Sequence, residues 1–291
     1  NSYLKGIKEG IYTDKELNEK VRRVLRLTFR TAMNNDRPWG SMVSDAHKTA
    51  CRKIGEEGIV LLQNNANLLP INLSKVKRIA VIGENAIKMM TVGGGSSSLK
   101  VKYEVTPLEG LKKRIGEQAE IIYARGYVGD PTGEYNGVKT GQNLKDDRSP
   151  KELRTEALQV ASNADIVLFI GGLNKSEYQD CEGTDRKTMD LPYNQNELIM
   201  DLLQVNKKLV VINISGTGVA MPWKNHVSTI LQAWYLGSET GNALASILMG
   251  DVNPSGKLPY TYYACLNQCG AHKLGEYPGH KGMDVLGNKV Y

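Results

Sequence analysis

Asp165-Ile-Val-Leu-Phe-Ile-Gly171 and Lys208-Leu-Val-Val-Ile-Asn213 decide the fold. Both are short, continuous apolar runs rich in β-branched residues. Neither alternates with polar residues, so neither has a solvated face; such runs are strands of a parallel sheet covered on both sides. Three weaker runs extend the pattern: Arg78-Ile-Ala-Val-Ile-Gly83, Ala119-Glu-Ile-Ile-Tyr123, and Val227 to Trp234. Helical patterns lie between them, at residues 107–115, 150–163, 193–205 and 239–249. Strands alternating with helices predict an α/β domain, a doubly wound and mostly parallel sheet sandwiched by helices.

Upstream, residues 13–31 read as an amphipathic helix. Thr13 or Asp14 can cap it, and Leu17, Val21, Val24, Leu25 and Thr28 share one stripe. A polar, breaker-rich linker follows at 34–44, and Ser44 is expected to cap a second helix running to about Asn64. A lone amphipathic helix cannot bury its own stripe. Residues 1–33 are therefore expected to belong to a preceding domain, with the α/β sandwich at 45–263. The Gly-rich, polar stretch from Gly126 to Asp147 reads as a long loop. Residues 264–291 dissolve into Gly, Asn and His and are expected to be a linker toward a further domain. Both ends read as cut.

The 291 residues are 41% hydrophobic and 23% charged, with a mean hydropathy of −0.36, a profile that supports a packed core. No run of 18 apolar residues exists to span a membrane. The net charge is +6, but Lys and Arg are scattered among acids. The dense set Arg22, Arg23, Arg26, Arg30 is a solvated helix face, so nucleic acid is not expected as a partner. Cys265 and Cys269, with His272 and His280 nearby, lack the spacing of a zinc site, and no metal is expected. Cys51 and Cys181 complete the four cysteines without fixing a redox compartment.

In open parallel sheets, ligands meet the loops at the carboxyl ends of the strands. Three such loops stand out: Gly83 to Ser98, Gly171 to Pro192, and Ser215 to Trp223. The first carries Gly93-Gly-Gly-Ser-Ser-Ser98 but neither G-x-G-x-x-G nor a Walker lysine, so it reads as a tight loop and no nucleotide cofactor is expected. The second concentrates Glu177, Asp180, Glu182, Asp185 and Asp190. A loop carboxylate can serve as general acid or base. Glycoside hydrolysis needs two carboxyl groups flanking the scissile bond, and no second one is identifiable here. Without chemistry, the same loop is a polar surface.

The segment Cys181-Glu-Gly-Thr-Asp-Arg-Lys-Thr-Met-Asp-Leu-Pro192 resembles the acid/base loop of glycoside hydrolase family 3. Other stretches agree, in order. Gly55-Glu-Glu-Gly-Ile-Val-Leu-Leu-Gln-Asn64 with Leu69-Pro-Ile71 resembles the family's helix leading into this domain. Gly93-Gly-Gly-Ser-Ser97 and Thr106-Pro-Leu-Glu-Gly-Leu111 resemble its first loop and next helix. Gln232-Ala-Trp-Tyr-Leu-Gly-Ser-Glu-Thr-Gly-Asn-Ala243 resembles its strand-to-helix turn, and Gly250-Asp-Val-Asn-Pro-Ser-Gly-Lys-Leu-Pro259 a further shared segment. The match covers roughly residues 45 to 263.

This resemblance implies the C-terminal α/β sandwich domain of a retaining, exo-acting, β-glucosidase-like enzyme acting on oligosaccharides or β-glycosides, with no cofactor. It places the nucleophilic Asp on a preceding (β/α)₈-type barrel, whose last helix residues 13–31 resemble, and a fibronectin-like domain after the tail. It assigns the acid/base to Glu182, with Glu177 as runner-up, and gives Asp185 and Arg186 a supporting role in shaping the loop. The chain alone is then expected to hydrolyse nothing, and its Glu182 loop to be mobile, with a carboxyl in no special environment. Ser44-Asp45 is followed by Ala46, not Trp, and reads as a helix start, not a nucleophile. Trp223, Trp234 and Tyr235 are candidate sugar platforms, more simply read as packing; His226 reads as a surface residue. Related enzymes cleave several different glycosides, so the sugar stays open. The resemblance favours a periplasmic or secreted location. The competing reading is a non-catalytic carbohydrate-binding or domain-interface module of the same fold.

Overall fold

The computed structural model describes residues 2–91, 95–97, 100–131, 134–135, 138–182, 184–274, 282–283 and 289–290. It divides into two units, residues 1–44 and 45–291. In the first, helix α1 (Ser2–Lys8) precedes α2 (Asp14–Arg30). Thr13 caps α2 in a reciprocal box with Glu16, which satisfies two backbone donors that the first turn leaves open. The stripe residues Val21, Val24 and Leu25 are exposed.

The second unit holds a six-stranded sheet: β1 (Val60–Asn64), β2 (Arg78–Ile82), β3 (Glu120–Ala124), β4 (Ile166–Gly172), β5 (Leu209–Ile214) and β6 (Thr229–Gln232), in spatial order β1-β6-β5-β4-β2-β3. All neighbours pair parallel except the edge pair β1 and β6. The helices are α3 (Asp45–Gly58), α4 (Pro107–Ile115), α5 (Pro150–Ser162), α6 (Gln195–Val205) and α7 (Thr240–Met249). The expected strands and helices are present, and the fold is the mostly parallel α/β sheet that the pattern predicted.

The strand period of two sorts the core into two layers. Val81, Leu168, Ile170, Val210 and Ile212 face Leu111 of α4 and Leu244 of α7. Ala80, Val167, Phe169, Leu209 and Val211 face Ala157 of α5 and Leu198 and Leu202 of α6. All seven residues of β4 are buried, which is why its sequence carries no polar alternation. Two helices begin on the same local grammar. Thr106 and Ser149 each form a capping box with a Glu three residues on, and each is followed by Pro at the first helical position. α4 and α7 pack so closely that a Cβ on Gly110 would stand 2.1 Å from the Gly241 backbone.

One element departs from expectation. The helix read to about Asn64 ends at Gly58, and residues 60–64 form β1. Gly58 is a poor helix interior residue, and Ile59-Val60 opens a run that gains more by pairing with β6 than by continuing the helix. Asp45 opens α3 and pairs with Lys48 at 2.9 Å. In the long loop, Glu134–Tyr135 pairs with Val138–Lys139 as a short hairpin. Most of the tail beyond Leu274, His280 included, lies outside the described residues.

Candidate active site

The chain order reverses direction between β2 and β4, and loops diverging at such a switch point open a crevice. The acidic loop leaves β4 here. Gly172, with φ of 124° and its would-be Cβ 2.1 Å from the Ile214 carbonyl oxygen, makes a turn that only glycine fits. Gln195, fully buried at the start of α6, clamps both ends of the loop. Its Oε1 accepts from the Gly172 N–H at 2.8 Å, while its Nε2 donates to the Gly172 and Pro192 carbonyls at 2.8 and 3.0 Å.

Within the loop, Asp180 is the anchor. Its carboxylate accepts from the Gly216 N–H at 2.6 Å, the Thr217 hydroxyl at 2.5 Å and the Tyr235 hydroxyl at 2.9 Å. These bonds tie the loop to the segments after β5 and β6. Lys175 lies with Nζ 3.7 Å from the centre of the Tyr235 ring, and burial pushes its ammonium below the usual lysine range, against the pull of Asp180. Arg186 donates to the Gly218 carbonyl, and Tyr178, at φ 61°, donates its N–H to Thr184 Oγ1 at 2.9 Å.

Glu182 stands exposed on this frame, in a cleft of about 750 Å³ lined also by Asp180, Asp185, Arg186, Ser97 and His272. The expectation of a carboxyl without a special environment is corrected. Glu182 Oε2 accepts from the Ser96 N–H at 2.5 Å, and Oε1 accepts from the Ser96 hydroxyl at 2.8 Å. Both bonds favour the charged form, the backbone N–H most, and hold the carboxyl below the usual glutamate range. Of the Gly-Ser run read as a tight loop, Gly93, Gly94 and Ser98 lie outside the described residues; Gly95–Ser97 is one 3₁₀ turn.

Glu177 is exposed and is absent from the cleft lining, whereas Asp185 is exposed within it. Trp223 is fully buried, with Nε1 donating to Asn196 at 2.9 Å; it is core, not a sugar platform. Trp234 donates to the Gly58 carbonyl at 2.9 Å and meets the Tyr260 and Tyr262 rings edge-on. His226 is exposed. The four cysteines are free, and among the described residues no cluster of three His, Cys, Asp or Glu is placed to hold a metal.

A second charged cluster sits beyond the carboxyl ends of β2 and β3. Buried Glu84 accepts from Arg125 at 2.8 Å and from the Gly129 N–H at 2.6 Å, with the buried Lys88 ammonium 3.6 Å away. Lys88 also donates to the Asp130 carbonyl at 2.5 Å. The Asp130 side chain accepts from Ser176 of the acidic loop at 2.7 Å, so the two clusters touch. Ser96, the anchoring by Asp180 and Tyr235, and this network were not legible in the sequence. The only local signals were a serine run and one more acid in an acidic loop.

Residues 59–289 match the model of the glycosyl hydrolase family 3 C-terminal domain. The chain belongs to glycosyl hydrolase family 3. It is 46% identical over 286 residues to the β-glucosidase BoGH3A of Bacteroides ovatus, which covers 96% of this chain and 37% of that protein. It is 34% identical over 289 residues to a periplasmic β-glucosidase of Salmonella typhimurium, covering 92% and 37%. The crystal structure of a family 3 β-glucosidase from Bifidobacterium adolescentis superposes with a TM-score of 0.77 at 29% identity, covering 97% of this chain and 38% of that one. This family 3 domain thus spans about a third of the length of these relatives.

Proposed function

We propose that this domain supplies the acid/base, Glu182, to a retaining, exo-acting, β-glucosidase-like enzyme that releases terminal sugars from oligosaccharides or β-glycosides. The observation that carries this reading is the placement of Glu182: an exposed carboxyl aimed into a cleft at the switch point, held by Ser96 on a loop whose base is anchored by Asp180. Asp180 has its oxygens occupied by three donors, which makes it an anchor and not a nucleophile.

The nucleophilic carboxylate is proposed to come from outside these 291 residues, from a preceding barrel domain, and residues 264–291 to lead toward a fibronectin-like domain. In the first step that carboxylate attacks the anomeric carbon, the glycosidic C–O bond breaks, and the Glu182 proton passes to the leaving oxygen. In the second step Glu182, now ionised, takes a proton from water as the water oxygen displaces the carboxylate from the glycosyl-enzyme. Retention requires the two carboxyl groups to stand about 5–5.5 Å apart. Ser96 favours the base form of Glu182, which suits the second step. The first step needs a protonated carboxyl, and a negative nucleophile brought close would raise its proton affinity. On this reading the chain alone hydrolyses nothing, and Glu177 is the next candidate acid.

The test is Glu182→Gln in the full-length protein. Hydrolysis of glycosides with poor leaving groups should fall about 10²–10⁴-fold, and activated aryl glycosides far less. Azide should rescue Glu182→Ala. An unchanged rate on a natural disaccharide would overturn the assignment of Glu182 and pass the same test to Glu177; unchanged rates for both variants would leave the domain as a carbohydrate-binding or interface module.

A further inference from the structure

We infer that Ser96 is a positioning residue for the acid/base: its backbone N–H and its hydroxyl together hold Glu182 through both protonation states of a turnover. This rests on the assignment of Glu182 above. The geometry is a two-point grip by one residue across 86 positions of sequence, with the N–H on Oε2 at 2.5 Å and the hydroxyl on Oε1 at 2.8 Å. Two contacts on two oxygens fix the direction of the carboxyl plane as well as its position.

The two donors differ in kind. An amide N–H can only donate, and it bonds Oε2 whether or not the other oxygen carries a proton. A serine hydroxyl donates and accepts. It donates to a bare Oε1 and turns to accept when Oε1 is protonated. Oε1 is thereby marked as the oxygen that carries the proton; as that proton turns to the leaving oxygen of a bound glycoside, the hydroxyl donates back to Oε1 and the grip persists. Ser96→Ala keeps the amide N–H on Oε2 and removes the hydroxyl from Oε1. Ser96→Thr keeps both donors.

Ser96 and Glu182 are both exposed, so the grip adds little to core packing, and variants at 96 are expected to fold. Other charged or titratable groups line the cleft: Lys175, Asp180, Cys181, Asp185, Arg186 and Lys187 from the same loop, and His272 from the short helix Gly270–Leu274. The lowered proton affinity of Glu182 is caused by the two Ser96 bonds, against burial.

The experiment measures kcat/KM against pH for the full-length enzyme and its Ser96→Ala, Ser96→Thr and Glu182→Gln variants, on glycosides with good and poor leaving groups. Ser96→Ala removes one donor to the carboxylate, so its proton affinity rises and the acid form persists to higher pH. The basic limb should move up, by at most about one pH unit given the exposure of the pair. Poor leaving groups should slow about tenfold, because an acid freed at one oxygen is less well aimed. Ser96→Thr should restore both. If Glu182→Gln slows poor leaving groups but Ser96→Ala leaves the limb unmoved, or slows all substrates alike, the positioning role is wrong and the assignment of Glu182 stands. If Glu182→Gln changes nothing, the assignment falls and the inference with it.

Discussion

The two charged clusters beside the switch point are built in opposite ways. Around Glu84 the charges are buried and saturated: Glu84 meets Arg125, Lys88 and the Gly129 N–H, and Lys88 reaches Asp130. Burial pushes the Lys88 ammonium below its usual range, and Glu84 and Asp130 pull it back. Around Glu182 the carboxyl is exposed and held by Ser96, with open cleft before it. A charge locked among partners in low dielectric has no spare bonding capacity and holds loops in place. A charge gripped from behind and open in front is available to a substrate. High charge density alone does not separate the two; the direction of the partners does.

Removing a partner from the buried cluster is the most severe way to break this contrast. Glu84→Ala leaves Arg125 and Lys88 facing each other without their shared carboxylate, and such uncompensated buried charge costs about 3–5 kcal/mol. Chemical unfolding of the full-length protein should show a large fall in the midpoint of the domain's transition. Glu182→Gln should leave that midpoint where it is while impairing catalysis. If both variants destabilised equally, the contrast would be lost.

Asp180 stands between the extremes, half-buried and anchored by three donors. Asp180→Ala leaves the Gly216 N–H and two hydroxyls to find water, at about 1–3 kcal/mol. Because it loosens the base of the Glu182 loop, it should also raise amide hydrogen exchange between residues 174 and 190. Unchanged exchange there would show that Gln195 and Arg186 suffice to hold the loop.

The smallest effect is a pH dependence at the rim of the buried cluster. Arg148 holds the Asp146 carboxyl at about 2, well below its usual value near 3.8. A carboxyl depressed on folding stabilises the folded state above its unfolded pKa, and that gain is lost as pH falls through the folded one. Asp146→Asn should therefore be less stable than the parent near neutrality. The gap should close between about pH 4 and pH 2. A gap that stayed constant would mean that Asp146 acts by shape and not by charge.

Much of the scaffold was legible because its causes are local. The buried strands announce themselves by continuous apolar runs, and α4 and α5 by Thr106-Pro107 and Ser149-Pro150, each with a glutamate to complete the cap. β1 was not legible, since Val60–Asn64 is a strand only because β6 lies beside it. The acidic loop was visible as a motif, and Glu182 was named within it. The partners of its acids were not. Ser96 and Glu182 lie 86 residues apart, and Asp180 and Thr217 lie 37 apart. Residue order thus determined which segments become strands and helices and where the acids cluster, through propensities and caps that act over a few positions. Only the tertiary structure decided which of those acids are locked and which are open. Strand order alone brings the loops after β2, β4 and β5 together, and a hydrogen bond between them depends on that meeting.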